Sequence, residues 1–91
     1  MEPLELREAL VDLARDSGIV VRLTERTSAS EPAPPSALCR VRGEPWVWLC
    51  DADPLSVQLD ILVRALREHA GAGLESRYVP PAVRARLDAT P

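Results

Sequence analysis

Residues Pro45 to Ala70 read PWVWLCDADPLSVQLDILVRALREHA, and this stretch decides the fold. It opens with an apolar, β-prone run that predicts a strand. Asp53 followed by Pro54 is typical of a helix start, with a carboxylate cap before a proline at the first helical position. Leucines then recur at helical spacing, which predicts an amphipathic helix over about 54–70 that ends at Gly71.

A second β-prone run over about 37–42 lies just before the strand predicted at about 45–50. Gly43-Glu44 between the two runs predicts a hairpin with a two-residue type II′ turn, because glycine suits the first central position. The predicted register has three facing pairs: Val41 with Trp46, Cys39 with Trp48, and Ala37 with Cys50. The two cysteines are then diagonal neighbours, which disfavours a relaxed disulfide.

The flanking segments predict a further strand and two further helices. A periodic apolar pattern predicts a helix over about 3–17, ended by Gly18 in the left-handed conformation that helix C-termini commonly use. The β-branched run that follows predicts a strand over about 19–24. Pro81 is placed to open a last helix over about 81–89, after an extended arm that follows Gly71.

Residues 26–36 are rich in proline and serine, with no apolar side chain larger than alanine. Such a segment cannot bury enough surface to offset its ordering entropy, so we expect a mobile loop. The whole pattern predicts one α+β domain over 1–91, in which helices pack on a three-stranded antiparallel or mixed sheet. Because the chain has no Phe, the core should be built from Leu, Val, Ile, Ala and the two Trp.

Charge and hydropathy disfavour two classes of partner. The chain has 11 basic residues, all of them Arg, against 14 acidic residues. No block of like charge resembles a nucleic-acid tail. The acidic N-terminus differs from a secretory signal, and no apolar run reaches membrane-spanning length. We therefore expect a soluble, cytoplasmic protein that binds neither nucleic acid nor membrane.

Side chains that could carry catalysis or bind metal are few. A catalytic thiol needs a nearby His and an electropositive setting, whereas Cys39 and Cys50 both lie in apolar runs. Structural zinc sites usually take four ligands in close pairs, and these two cysteines with a distant His69 depart from that spacing. Helix capping explains Asp51 and Asp53 better than acid–base catalysis does. We therefore expect no enzyme activity and no cofactor.

Two apolar features could be core or partner surface. Trp46 and Trp48 point to one face of their strand, and an aromatic pair without surrounding basic residues is more often core than a ligand platform. Val57, Ile61 and Ala65 form a second stripe on the long helix, which one sheet need not cover. Either the C-terminal arm packs on this stripe or a partner does.

The order of elements resembles a known enzyme family. A helix, the strand GIVVR, the hairpin LCRVRGEPWVWL and the helix PLSVQLDILVRALREHA are together similar to the core of the ImmA/IrrE-like metallopeptidases. In that family the last helix carries Ala-His-Glu-x-x-His, whose histidines bind zinc and whose Glu is the general base. Here Ala65 matches the Ala, but the catalytic positions hold other residues: Leu66, Arg67 and Ala70. The resemblance, which covers about residues 6–70, implies a non-catalytic relative with a similar layout and carries over no functional residue.

These observations lead to two functional hypotheses. The first is a non-enzymatic protein-interaction or regulatory module, whose partner is another protein or a second copy of the chain. Its binding surface is drawn from Trp46, Trp48, Val57 and Ile61, since partly exposed tryptophans are natural hot spots. The alternative is a protein that binds a metal or small ligand through the following side chains: Cys39, Cys50 and His69.

Overall fold

A computed structural model describes residues 1–24, 36–75 and 78–89 of the chain. Its elements, in order, are α1 (Pro3–Asp16), β1 (Val20–Thr24), β2 (Ala37–Val41), β3 (Glu44–Cys50), α2 (Leu55–Glu75) and α3 (Pro81–Ala89). The strand order is β1-β3-β2, with β1 parallel and β2 antiparallel to β3. The α+β prediction with a small mixed sheet is confirmed. The predicted 26–36 loop lies outside the described residues, except for Ser36.

Helix α1 ends as its sequence predicts. Gly18 has φ +87°, and its N–H donates to the Arg15 carbonyl at 3.1 Å while the Ile19 N–H donates to the Ala14 carbonyl at 3.0 Å. This pair of bonds is the Schellman motif, which satisfies carbonyls that the helix end leaves without partners. It also turns the chain directly into β1.

The hairpin turn differs from the prediction. Arg42 and Gly43 are the central residues, with φ of 53° and 83°, so the turn is of type I′ rather than type II′. The facing pairs are Val41 with Glu44, Cys39 with Trp46, and Ala37 with Trp48. The predicted pairs were therefore wrong. Because the pairing moves by two residues, every side chain keeps its predicted face of the sheet.

Helix α2 is longer than predicted and starts one residue later. The Pro54 carbonyl accepts the Gln58 N–H at 3.3 Å, which makes Pro54 the capping residue rather than the first helical one. The helix then continues through Gly71 to Glu75, so the predicted end at Gly71 was wrong, and Leu74 and Glu75, predicted as the start of the extended arm, belong to the helix. A helical glycine costs only about 1 kcal/mol relative to alanine, which a long packed helix tolerates.

The core lies on one side of the sheet and is wholly aliphatic. It joins sheet residues to leucines of the helices, among them Val21, Val47, Leu49, Leu10, Leu62 and Leu66. Neither tryptophan belongs to this cluster or packs against it, so the expectation that they fill the core was wrong. The molecule has two layers, with α1 and α2 on the sheet face that bears Val47.

Helix α3 completes the helical layer. Its Val83 and Leu87 are buried in the common core, and Arg86 forms an ion pair with Asp60 of α2. Of the second stripe on α2, Ala65 is fully buried and Ile61 packs against the core, whereas Val57 is 40% exposed. Among the described helices, none combines the length and apolarity that would be needed to cross a membrane.

Candidate interaction surfaces

The sheet face that points away from α1 and α2 carries both tryptophans. Residues that pair across strands point to the same side of a sheet, so the pairing assigns ten residues to this side, which we call the tryptophan face: Val20, Arg22, Thr24, Ala37, Cys39, Val41, Glu44, Trp46, Trp48 and Cys50. Arg22 and Glu44 are exposed and Cys50 is buried, while the other seven residues are half-buried. The face is therefore mostly apolar, with one cation at its β1 side and one carboxylate beside the hairpin turn.

The aromatic rings of this face contact each other and Arg22. The ring centroids of Trp46 and Trp48 lie 5.7 Å apart at an interplanar angle of 30°. The guanidinium carbon of Arg22 lies 5.4 Å from the Trp46 centroid, within the range of a cation–π contact. Sequence reasoning missed Arg22, because only the parallel pairing of β1 with β3 brings it beside the tryptophans.

The Trp46 indole leaves a hydrogen-bonding group unused. Its Nε1–H is buried and has no acceptor within the described residues. Buried Trp N–H groups usually find a partner, and leaving one unpaired costs about 1–3 kcal/mol. The described part of the chain thus does not complete the polar contacts of the tryptophan face.

The predicted partner surface is divided between two layers. Trp46 and Trp48 lie on the outer side of the sheet, whereas Val57 and Ile61 belong to α2 in the helical layer on the other side. The four side chains therefore do not share one face. Val57 remains an exposed apolar side chain, but Ile61 is engaged with the core.

A groove of about 430 Å³ lies between β2 and α2, which we call the edge groove. It is lined by Leu38, Cys39, Arg40, Arg64, Glu68 and His69. Consecutive strand residues point to opposite faces, so three consecutive residues can line one groove only along the edge of the strand. The edge groove therefore runs beside the outer edge of β2.

Pro45 shows which backbone groups of β2 point away from β3, toward the edge groove. Arg40 pairs with Pro45, and proline has no N–H, so these two cannot form a hydrogen-bonded pair of the ladder. Alternation then points the N–H and C=O groups of Leu38 and Arg40 outward. Within the described chain, no backbone hydrogen bond outside the ladder reaches either residue.

The candidate metal ligands do not assemble into one site. Cys39 pairs with Trp46, and Cys50 lies four residues further along β3, roughly 13 Å away along the strand. Both thiols are free. Of the two cysteines, only Cys39 lines the edge groove together with His69. The Cys39 side chain points to the tryptophan face, which is the sheet face away from α2. The described residues contain no group of three or more His, Cys, Asp or Glu that could hold a metal ion.

Asp53 does not have its predicted capping role, and His69 lies within a longer helix than predicted. Because α2 continues to Glu75, His69 lies inside the helix and not in its last turn. The Asp53 carboxylate accepts the Ser36 N–H at 2.7 Å instead of capping α2. The Ser36 hydroxyl in turn accepts the Cys50 N–H at 2.9 Å. Hydrogen bonds from the Ser36 hydroxyl, and then from its N–H, lower the pKa of Asp53.

Buried Gln58 links the Asp53–Ser36 hydrogen bond to the helical layer. Its side-chain amide donates to the Asp53 carbonyl at 3.0 Å, and its amide oxygen accepts a hydrogen bond from Arg7 of α1 at 3.0 Å. Gln58 is 3% exposed, and buried polar groups of this kind are normally hydrogen-bonded. The network fixes the start of β2 against α1 and α2, which is a structural role.

No protein-family model, curated protein or solved structure matches the chain. The resemblance to the ImmA/IrrE-like metallopeptidases therefore stays a prediction.

Proposed function

We propose that this chain is a non-enzymatic protein-interaction module and that the tryptophan face is its binding surface. The observation that carries the proposal is that both tryptophans lie outside the aliphatic core, beside an exposed arginine. Trp and Arg are among the residues most enriched at interface hot spots. A fold that keeps its largest apolar side chains out of its core has them available for a partner.

One further contact supports this use of the face. Arg22 covers part of the Trp46 ring, and a partner carboxylate could pair with its guanidinium group while the ring stays covered. This ion pair would form only in the complex.

A non-enzymatic function agrees with the positions of the thiols. Cys50 is 2% exposed, so its thiol has little access to a substrate. Cys39 points to the tryptophan face, while His69 lies in the helical layer, and a nucleophile needs its base within hydrogen-bonding reach. The metal- or ligand-binding alternative rests on the same three side chains and gains no support from their separation.

The test compares Trp46→Ala with Tyr78→Ala. Tyr78 is 82% exposed and lies outside the sheet, so its substitution removes an exposed aromatic ring without touching the proposed surface. Each tagged variant captures proteins from the native cell, with circular dichroism as the control for folding. We expect partners retained by the parent and by Tyr78→Ala to bind Trp46→Ala about 30-fold more weakly, as for a hot-spot residue.

A third variant tests whether α2 contributes. Val57→Asp places a charge on the exposed end of the second stripe, and we expect it to leave capture unchanged because this stripe lies in the other layer. Capture that survives Trp46→Ala but is lost with Val57→Asp would move the binding surface to α2. Capture unchanged by all three substitutions would refute the tryptophan face as the binding surface.

A further inference from the structure

We propose that the outer edge of β2 binds an extended acidic segment of a partner protein, which adds to the sheet as a fourth strand along the edge groove. This site lies at the strand edge and opens toward α2, so it shares only Cys39 with the tryptophan face and does not depend on the two tryptophans. Addition of a strand to an exposed sheet edge is a recurrent mode of peptide recognition.

The backbone of β2 supplies the first half of the site. The outward N–H and C=O groups of Leu38 and Arg40 form a row of donors and acceptors that an extended peptide can match. Leu38 also packs against the core, which holds this part of the strand in place. A peptide would therefore meet a preformed edge and would not have to order it.

The other edge of the sheet is protected by its own chain. The Thr24 carbonyl points inward to β3, since it accepts the Asp51 N–H. Successive residues of β1 point their backbone groups alternately inward and outward, so the Val21 carbonyl lies on the outer edge. Arg15 of α1 donates to this carbonyl at 3.2 Å. Covering an edge with charged side chains is how proteins prevent unwanted strand pairing. No such contact reaches the β2 edge within the described residues.

Charge supplies the second half of the site. Arg40 and Arg64 line the edge groove and are both exposed. Neither forms an ion pair with any described residue. The one carboxylate in the lining, Glu68, lies 3.9 Å from His69 Nε2. Within the described residues, two guanidinium groups without ion-pair partners therefore flank a strand edge that no other strand covers, and carboxylates are their complement.

The same charges disfavour a second copy of the chain as the occupant. Pairing of β2 with β2 of another copy would bring the same two arginines from both molecules to one edge, and like charges across a strand pair are destabilising. An added strand presents alternate side chains to each side. The segment should therefore carry Glu or Asp at alternate positions, on the side that faces α2.

The probe is a synthetic peptide of about nine residues, which covers a strand of typical length, with Glu and Val alternating and both ends blocked. Binding to the full chain is followed by NMR, from the shifts and the hydrogen exchange of the backbone amides. We expect the Leu38 and Arg40 amides to become protected. Arg40→Gln and Arg64→Gln should each weaken binding about threefold and together about tenfold, as for solvent-accessible ion pairs.

Three controls test whether binding depends on the charges and backbone groups of this edge. Arg84→Gln removes the same charge from α3, outside the edge groove, and should leave peptide binding unchanged. A peptide with Lys in place of Glu should not bind. N-methylation of alternate peptide residues should abolish binding when the methylated set faces β2, and not when it faces solvent, because only one set donates to the strand.

Several results would overturn the proposal. These are absence of binding, equal binding of the Lys peptide, indifference to the Arg40 and Arg64 substitutions, and shifts confined to the tryptophan face. Concentration-dependent protection of the Leu38 and Arg40 amides without peptide would assign the edge to a second copy instead. Loss of partner capture with Trp46→Ala bears only on the tryptophan face, so the two proposals can fail separately.

Discussion

The two faces of the same three-stranded sheet differ in what covers them and in what they carry. The face under α1 and α2 holds Val21, Val47 and Leu49, which are at most 5% exposed. The tryptophan face holds the larger Trp46 and Trp48, which are only half-buried. In a two-layer domain one sheet face is enough to complete the core, and here that face is the one that bears Val47.

The largest expected effect comes from truncating one valine on each face. Val47→Ala should lower the free energy of unfolding by about 2–3 kcal/mol, because a fully buried side chain loses its burial and leaves a cavity. Val41→Ala, on the half-buried tryptophan face, should cost about 1 kcal/mol or less. Urea unfolding followed by circular dichroism measures both. Equal costs would mean that the two faces contribute alike to stability.

The next test concerns the turn, which determines which β2 and β3 residues are neighbours on each face. Gly43→Ala should lower the free energy of unfolding by about 1–2 kcal/mol, because φ is +83° at this position and an L side chain is strained there. Gly71→Ala is the matched control. A Cβ at Gly71 meets nothing within 4 Å, so this substitution should raise the free energy of unfolding by about 0.5–1 kcal/mol. A loss at both positions would contradict the helical assignment through Gly71.

A smaller effect is expected from Arg22→Gln, which removes the cation from the tryptophan face. The contact with Trp46 should contribute about 0.5–1 kcal/mol, as is usual at exposed sites. Urea unfolding gives the cost, and a change in tryptophan fluorescence would report the altered environment of the rings. Arg42→Gln, which makes no ring contact in the described chain, should leave the fluorescence unchanged. Equal fluorescence in both variants would show that Arg22 does not cover the ring in solution.

The smallest effect is a pH dependence at the start of β2. The hydrogen bonds from Ser36 lower the pKa of Asp53 below its ordinary value of 3.8. The stabilisation is therefore fully present above that value and is lost as the pH falls through the lower, folded-state pKa. Urea midpoints measured from about pH 5 to about pH 3 should fall less steeply in Asp53→Asn than in the parent. Parallel pH profiles would refute this linkage.

The elements were largely readable from the sequence because each carries a local signal. The apolar spacing of α1, its Pro3 and its terminal Gly18 all agree, and its bounds were predicted to within a residue. Helix α3 begins at the predicted proline. The end of α2 could not be read this way, because Gly71 is as compatible with an interior position in a packed helix as with a helix end. The hairpin register failed for a similar reason, since Gly43 fits either central position of a two-residue turn.

The candidate sites were much less predictable. Trp46 and Trp48 were identified from the sequence, but their place outside the core was not, because alternation in a strand separates two faces without saying which one the helices cover. Arg22 joins them through β1, which is more than twenty residues distant in the chain. Arg40 and Arg64 come together in the edge groove only through the packing of α2 beside β2.

The stretch from Pro45 to Ala70 by itself determined a strand, a helix start near Pro54 and an amphipathic helix, because periodicity and capping act over a few residues. The tertiary structure decided the strand order, the face that the helices cover and the free edge of β2. Those features depend on contacts between segments far apart in the chain, and local propensity carries no information about them.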